Sequence, residues 1–323
     1  MAQKKTILAQ YNYHFKRIND ELDLLLSSRV SLIEDIGAHS LLGQGKRLRP
    51  LLFILVCELC NSSRKDLYRL STIFECIHTA SLLHDDVLDN AEIRRKKPTA
   101  NHLWGNHAAV LEGDFIHSTA IAMSVESENL LFLKRVTNAT KEMTEGQILE
   151  LIHTDDWKTS KEDYLRIIKG KTAILISAAC SCGAIISGAD SQVVENLSNY
   201  GLNLGIAFQL MDDILDYSST EEVFGKSVGK DIQEGKITLP LIYTLEALDI
   251  NEKKRLEILC KGSKEENHPY LIDFVRKSGS MERVREEAQQ YVDEAILCLD
   301  SFPVSNVKDS FQQLSQFVIN RHY

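Results

Sequence analysis

The chain has 323 residues, 44% of them hydrophobic, which is enough apolar material for a substantial core. Five prolines and 16 glycines are sparse for a β-sandwich or barrel and ordinary for long helices. A formal charge of −9, from 46 acidic and 37 basic residues, argues against a surface built to bind nucleic acid.

The first segment, MAQKKTILAQYNYHFKRIND, has no apolar core of signal-peptide length. Beyond it, apolar residues recur at helical spacing, as in Leu67, Leu70, Phe74 and Ile77, and again in Leu202, Ile206 and Leu210. Alternating runs are scarce, so an all-α fold of many helices is expected. Connections are expected at 61–65, 90–101, 126–129, 153–160, 187–191, 218–236 and 261–269. The two longest, 90–101 and 218–236, are the natural places for function. The uncharged stretch 172–189 just reaches membrane-spanning length. Its Ser, Cys, Gly and Ala content favours a helix buried on all sides of a soluble bundle. From about Asp249 the chain is charged and amphipathic. No linker or repeat divides it, so residues 1–323 are expected to form a single domain. The seven cysteines lie mostly in apolar runs, as expected of buried thiols in a reducing cytoplasm.

Two segments carry the chemistry. Asp85-Asp86-Val87-Leu88-Asp89 and Asp212-Asp213-Ile214-Leu215-Asp216 both read DDxxD. Residues four apart on a helix share a face, about 6 Å apart along the axis. Counting back in fours from Asp85 gives Ser81, Ile77 and Ile73, and from Asp212 gives Phe208 and Leu204. The carboxylates therefore continue largely apolar faces, where uncompensated charge is costly. Oxygen ligands of this kind suit magnesium, which binds through a few carboxylates plus substrate phosphates.

Basic residues gather nearby on this acidic chain. They are Lys46, Arg47 and Arg49 in GQGKRLRP, Arg94-Arg95-Lys96-Lys97 after the first cluster, and Lys226, Lys230 and Lys236 after the second. Arginine grips phosphate oxygens as a fork and lysine as a point charge. Carboxylates, divalent cations and such bases together make a diphosphate site.

GQGKRLRP, ECIHTASLLHDDVLDNAEIRRKKPTANHLWG, AAVLEGDF, GKTA, FQLMDDILDY and FGKSVGKDIQEGKITLPLI together resemble the trans-isoprenyl diphosphate synthases, especially the medium- and long-chain polyprenyl diphosphate synthases. The resemblance spans 43–242. It implies a single helical bundle around a deep central cavity, usually homodimeric, with about three magnesium ions per site. Asp85 and Asp89, with Asp86 nearby, would hold metal on the allylic diphosphate, and Asp212, supported by Asp213 and Asp216, would hold a further ion. Arg94, Lys171, Lys226 and Lys236 would contact the allylic diphosphate. Lys46, Arg49, His78 and Arg95 would bind isopentenyl diphosphate. Thr172 and Gln209 would turn oxygen dipoles toward the allylic cation. The chain departs from the family pattern at Lys96, where glycine is usual, and at Gly146-Gln147-Ile148-Leu149-Glu150, where the polar pair is reversed.

Ala80 and Ser81 precede the first cluster by about one turn. In this family bulky aromatics there block the growing chain, so small residues imply a product of roughly six to nine isoprene units, by resemblance and by simple volume. Quinone side chains are the expected use. Shorter-chain synthesis and a catalytic subunit of a heteromeric synthase are the alternatives. A terpene cyclase would not need Lys46, Arg49 and Arg95, and a regulatory subunit would not keep both aspartate motifs.

Overall fold

The computed structural model describes residues 8–43, 45–218, 229–262 and 267–320, with backbone alone at 260–262. In chain order the helices are α1 (Asn12–Leu24), α2 (Ser31–Leu41), α3 (Leu48–Leu59), α4 (Leu67–Leu88), α5 (Ala100–Trp104), α6 (Asn106–Glu126), α7 (Leu130–Ile152) and α8 (Lys161–Ile168). A π-helical turn (Lys169–Ala173) joins α8 to α9 (Ile174–Ile186). Then come α10 (Ser191–Ser218), α11 (Lys230–Gln233), α12 (Leu239–Glu246), α13 (Ile250–Gly262), α14 (His268–Lys277), α15 (Ser280–Leu297) and α16 (Asn306–Ile319). The fold is all-α, as the periodicity predicts. Contacts divide it into two compact units. Met1–Lys141, Leu175–Gly201 and Cys298–Leu314 form the first; Glu142–Ile174, Leu202–Leu297 and Ser315–Tyr323 form the second.

In the first unit α4 is the central helix, packed against α3 and α6. From Leu70 to Ala80 every residue is buried apart from His78, including the polar side chains of Ser71, Thr72, Glu75 and Thr79. Phe53 of α3, Phe74 of α4 and Phe132 of α7 form a ring cluster with centroids 5.5, 6.3 and 6.4 Å apart. Truncating one such ring to alanine removes about 3–5 kcal/mol. The uncharged stretch is helix α9, buried from Leu175 to Ile186. A Cβ on Gly183 would lie 2.9 Å from the Phe53 carbonyl oxygen, so α9 and α3 touch backbone to backbone. The helical run Lys161–Ile186 is long and apolar enough to cross a membrane by length and composition, but 72% of its apolar window is buried within the fold.

Glu112 of α6 is 2% exposed, and neither carboxylate oxygen has a hydrogen-bond partner. Burial pushes its carboxyl up to about 7. Between the ordinary carboxylate value and pH 7, the folded chain holds a proton that the unfolded chain releases. The contribution of Glu112 to stability is therefore greatest at low pH and falls as pH rises through that window. Glu112→Gln should stabilise the protein by about 2 kcal/mol at pH 8 and by little at pH 5. Melting curves at the two pH values check this, and an equal gain at both would contradict it.

The second unit packs Tyr217, Leu241, Leu245, Leu256, Leu271 and Val275 into its own apolar core. Arg276 Nε donates to the Tyr217 carbonyl oxygen at 2.6 Å, covering the C-terminal end of α10. Helix α8 begins at a capping box, in which Ser160 Oγ accepts from the Asp163 backbone N–H and Asp163 reaches back. Glycines then bring three segments together. A Cβ on Gly146 of α7 would lie 2.6 Å from the Lys171 nitrogen, and one on Gly170 would lie 2.8 Å from Gly146 Cα. A Cβ on Gly205 of α10 would lie 2.6 Å from Ala173 Cα. The turn carrying Lys171 and Thr172 is thus seated directly on two helices.

Two expected loops contain regular structure. Within 90–101, Ile93–Arg94 pairs antiparallel with Lys97–Pro98, joining Ile93 to Pro98 and Arg94 to Lys97. Within 218–236, residues 230–233 form α11. Both elements are too short to leave a periodic signal. The expected connection at 261–269 overlaps the end of α13 and the start of α14.

Candidate active site

The first aspartate cluster ends α4. Asp85 and Asp86 lie in its last turn at 8% and 4% exposure, and Asp89 follows as an exposed cap. The Asp89 N–H donates to the Asp85 carbonyl oxygen at 2.8 Å, keeping the two residues in helical register. Asp86 is held by the hairpin: Arg94 Nε and Nη2 both lie 2.7 Å from its Oδ1. This ties the hairpin to α4. Arg95 and Lys96, the two turn residues, have φ of 52° and 64°. A tight hairpin turn of this kind needs positive φ at both central positions, which explains the family's preference for glycine where Lys96 stands.

The hairpin also brings Arg94 and Arg95 to His78. Burial, and then Arg49, Arg95, Arg94 and Arg47, hold the His78 imidazole well below its usual value, so it is neutral. Sequence reasoning assigned Arg49, His78 and Arg95 to one diphosphate, and they share one electrostatic neighbourhood. Lys46 is exposed at the start of this segment. Below the hairpin lies a cavity of about 80 Å³, whose lining includes His39, Thr79, Asp86, Arg94 and Arg95.

The second unit holds a cavity of about 120 Å³ lined by Glu150, Tyr164, Lys171, Thr172, Gln209, Asp213, Asp231 and Lys236, among others. Five residues singled out from sequence, Lys171, Thr172, Gln209, Asp213 and Lys236, converge there. Thr172 Oγ1 donates to Gln209 Oε1 at 2.9 Å, and Gln209 Nε2 donates to Asp213 Oδ1 at 2.8 Å. Asp213 Oδ2 accepts from the Tyr164 hydroxyl at 2.5 Å. Asp213 is 2% exposed. Burial and neighbouring Asp231 push its carboxyl well above the usual range, against the pull of the Tyr164 and Gln209 bonds.

The bases in this cavity are paired with carboxylates. Lys171 contacts Glu150, while Glu234 contacts Lys236 at 2.5 Å and Lys230 at 2.7 Å. Burial alone would lower Lys236, but Glu150, Glu234 and Asp231 raise it, so it stays charged. Against burial, Lys236 and Lys230 hold Glu234 down to about 2. Asp216 is 6% exposed and accepts from the backbone N–H groups of Lys230 and Asp231, at 3.2 and 3.1 Å. Asp212 is half-buried on α10. Lys226 lies outside the described residues.

Among the described residues, no group of three or more His, Cys, Asp or Glu side chains is arranged to hold a metal ion by itself. The carboxylates of Asp85 and Asp89 at one cluster, and of Asp212 and Asp216 at the other, are hard oxygen ligands in small numbers. Each pair by itself fits a magnesium ion completed by water and substrate phosphate, and not a protein-only cage.

The polyprenyl synthetase family model matches residues 30–275. The chain is 36% identical over 313 residues to octaprenyl diphosphate synthase of Haemophilus influenzae, covering 95% of this chain and 94% of the relative. The chain belongs to the polyprenyl synthetase family. It is 30% identical over 321 residues to heptaprenyl diphosphate synthase component 2 of Bacillus subtilis, covering 97% of this synthetase and 92% of that protein. A crystal structure of polyprenyl synthase from Caulobacter crescentus, complexed with calcium and isoprenyl diphosphate, superposes on this synthetase with a TM-score of 0.92. The two are 33% identical, and the match covers 98% of this chain and 97% of that one. The synthetase is accordingly a prenyltransferase.

Sequence reasoning missed Tyr164 and Glu150. Tyr164 is a lone tyrosine in the helix before GKTA, outside any motif, and only the packing of α8 brings it to Asp213. Glu150 lies in the segment whose polar pair is reversed from the family pattern, so the pattern assigns it no role. Its position four residues after Gly146, where α7 meets the π-helical turn, was the usable signal.

Proposed function

We propose that this synthetase condenses isopentenyl diphosphate with an allylic diphosphate, head to tail, to make a long-chain all-trans polyprenyl diphosphate for quinone side chains. One observation carries the reading: Lys171, Thr172, Gln209 and Lys236, distant in sequence, line one cavity beside the second aspartate cluster. Magnesium, about three ions per site, supplies charge neutralisation to the departing diphosphate. Asp85 and Asp89 would hold it at the first cluster, and Asp212 with Asp216 at the second. Arg94, Lys171 and Lys236 bind the allylic diphosphate, exchanging their carboxylate partners for phosphate oxygens, and Lys226 binds it with them. Lys46, Arg49, neutral His78 and Arg95 bind isopentenyl diphosphate.

The allylic C–O bond breaks and its electron pair leaves with diphosphate. The Thr172 and Gln209 oxygens stabilise the allylic cation while apolar walls exclude water. The double bond of isopentenyl diphosphate attacks the cation, forming the new carbon–carbon bond. A proton then passes to the released diphosphate.

Residues 1–323 act as one catalytic domain, since the family match runs through both compact units. A homodimer is supported by apolar side chains open to solvent on α6 and at the start of α7, namely Leu111, Val125, Leu130 and Leu131. The similarity to a component 2 protein supports a second reading, in which the synthetase is the catalytic subunit of a heteromer. We place it in the cytoplasm, with its cysteines reduced; those described are free.

Product length follows from the face of α4 that leads back from Asp85. It runs through Ser81 and Ile77 to Phe74, about 16 Å away along the axis. Ala80, at 2% exposure, is buried beside Ser81 on the same helix. Ala80→Phe should shorten the product by several isoprene units while the first condensation proceeds. Chromatography of the dephosphorylated products checks this, and an unchanged product length would contradict the proposed path.

A further inference from the structure

Arg47 stands between two proposed phosphate-binding residues, Lys46 and Arg49, yet it is only 5% exposed. Its backbone is left-handed, with φ 49° and ψ 31°, at the point where α3 begins. Residues with a Cβ disfavour this conformation, so the surroundings must impose it. The guanidinium does so. Nη1 donates to Glu75 Oε1 at 2.6 Å, Nη2 to the carbonyl oxygens of Leu41 and Gly43 at 2.6 and 3.2 Å, and Nε to Asn19 Oδ1 at 3.0 Å. One side chain thus fastens α1, the end of α2 and Gly43 to α4. Gly45 rests directly on the pair: a Cβ there would lie 2.5 Å from Arg47 Nη1 and 2.9 Å from Glu75 Oε1.

Glu75 is 4% exposed and stands three residues before His78, on the same helix. A buried ion pair is a weak source of stability compared with apolar residues of similar volume. What it supplies is a single geometry. We propose that the Arg47–Glu75 pair is a positioning device that sets Lys46 and Arg49 in register with His78 for the diphosphate of isopentenyl diphosphate. This rests on the proposed binding of that substrate by Lys46, Arg49 and His78.

The test is steady-state kinetics on the full-length enzyme, with each substrate varied separately, for Glu75→Gln, Arg49→Ala and the double variant Arg47→Leu/Glu75→Leu. The double variant leaves no unpaired buried charge, and its far-UV spectrum and melting curve are recorded beside the kinetics to establish that it is folded. In the double variant KM for isopentenyl diphosphate should rise about tenfold or more, the scale of one charged contact. KM for the allylic primer should stay within about twofold of wild type, well under one such contact. A merely structural pair would leave the isopentenyl diphosphate KM of the double variant at the wild-type value, and that result overturns the proposal. Arg49→Ala separates the two levels. If it too leaves this KM unchanged, the substrate assignment falls, and the positioning role with it. If it raises KM while the double variant does not, the positioning role alone falls.

Discussion

Asp85→Ala should lower kcat/KM about a thousandfold or more while leaving the helical far-UV spectrum intact. The carboxylate is in the last turn of α4, at 8% exposure, one helical turn from Asp89. If Asp85 and Asp89 hold the metal as proposed, removing one of them halves the protein's share of the ligands at the first cluster. The departing diphosphate then loses neutralisation that is needed chiefly as the C–O bond breaks, and about 4 kcal/mol of lost transition-state stabilisation corresponds to that factor. The fold should survive, because the large buried side chains of α4 lie upstream, at Phe74, Ile77 and Leu83. Steady-state assays over a wide magnesium range make the check. A variant restored to full kcat by excess magnesium would retain its chemistry and lose only affinity, against the expectation.

Asp213→Ala should lower kcat about a hundredfold, with little change in the magnesium concentration that gives half-maximal rate. The reason is the hydrogen-bond chain from Tyr164 through Asp213 and Gln209 to Thr172. Both Asp213 oxygens accept bonds, and the bond to Gln209 Nε2 fixes which end of the amide is oxygen. Without Asp213 the amide is free to turn over, and the allylic cation meets an N–H dipole of the wrong sign. Loss of one preorganised dipole of this kind is worth about a hundredfold in rate. Tyr164→Phe, which loosens Asp213 without removing it, should show the same pattern to a smaller degree. If Asp213→Ala shifts the magnesium dependence strongly instead, Asp213 is a metal ligand, as its place in DDxxD first suggested.

The parts of the site legible in the sequence were those that obey helical spacing or are compact motifs. DDxxD recurs on faces that are otherwise apolar, and GKTA and the basic runs stand out on an acidic chain. Residues whose role depends on contact between distant elements left no such mark. Tyr164 is a single aromatic on a short helix, and its meeting with Asp213 depends on the close approaches at Gly146, Gly170 and Gly205. The hairpin at 93–98 was hidden because its turn uses Arg95 and Lys96 at positive φ, where sequence rules expect glycine or asparagine. The resemblance put Asp86 beside the metal-directed pair Asp85 and Asp89, and its bonds to Arg94, which also anchor the hairpin, could not be read from the motif.

The central claim is that carboxylates on α4 and α10 act on diphosphate through divalent cations. Its most direct measurement uses the purified full-length protein with labelled isopentenyl diphosphate and farnesyl diphosphate, first with EDTA and then with magnesium restored. The account predicts no labelled polyprenyl product under chelation and a long-chain product on restoration. Undiminished condensation in the presence of EDTA would contradict it.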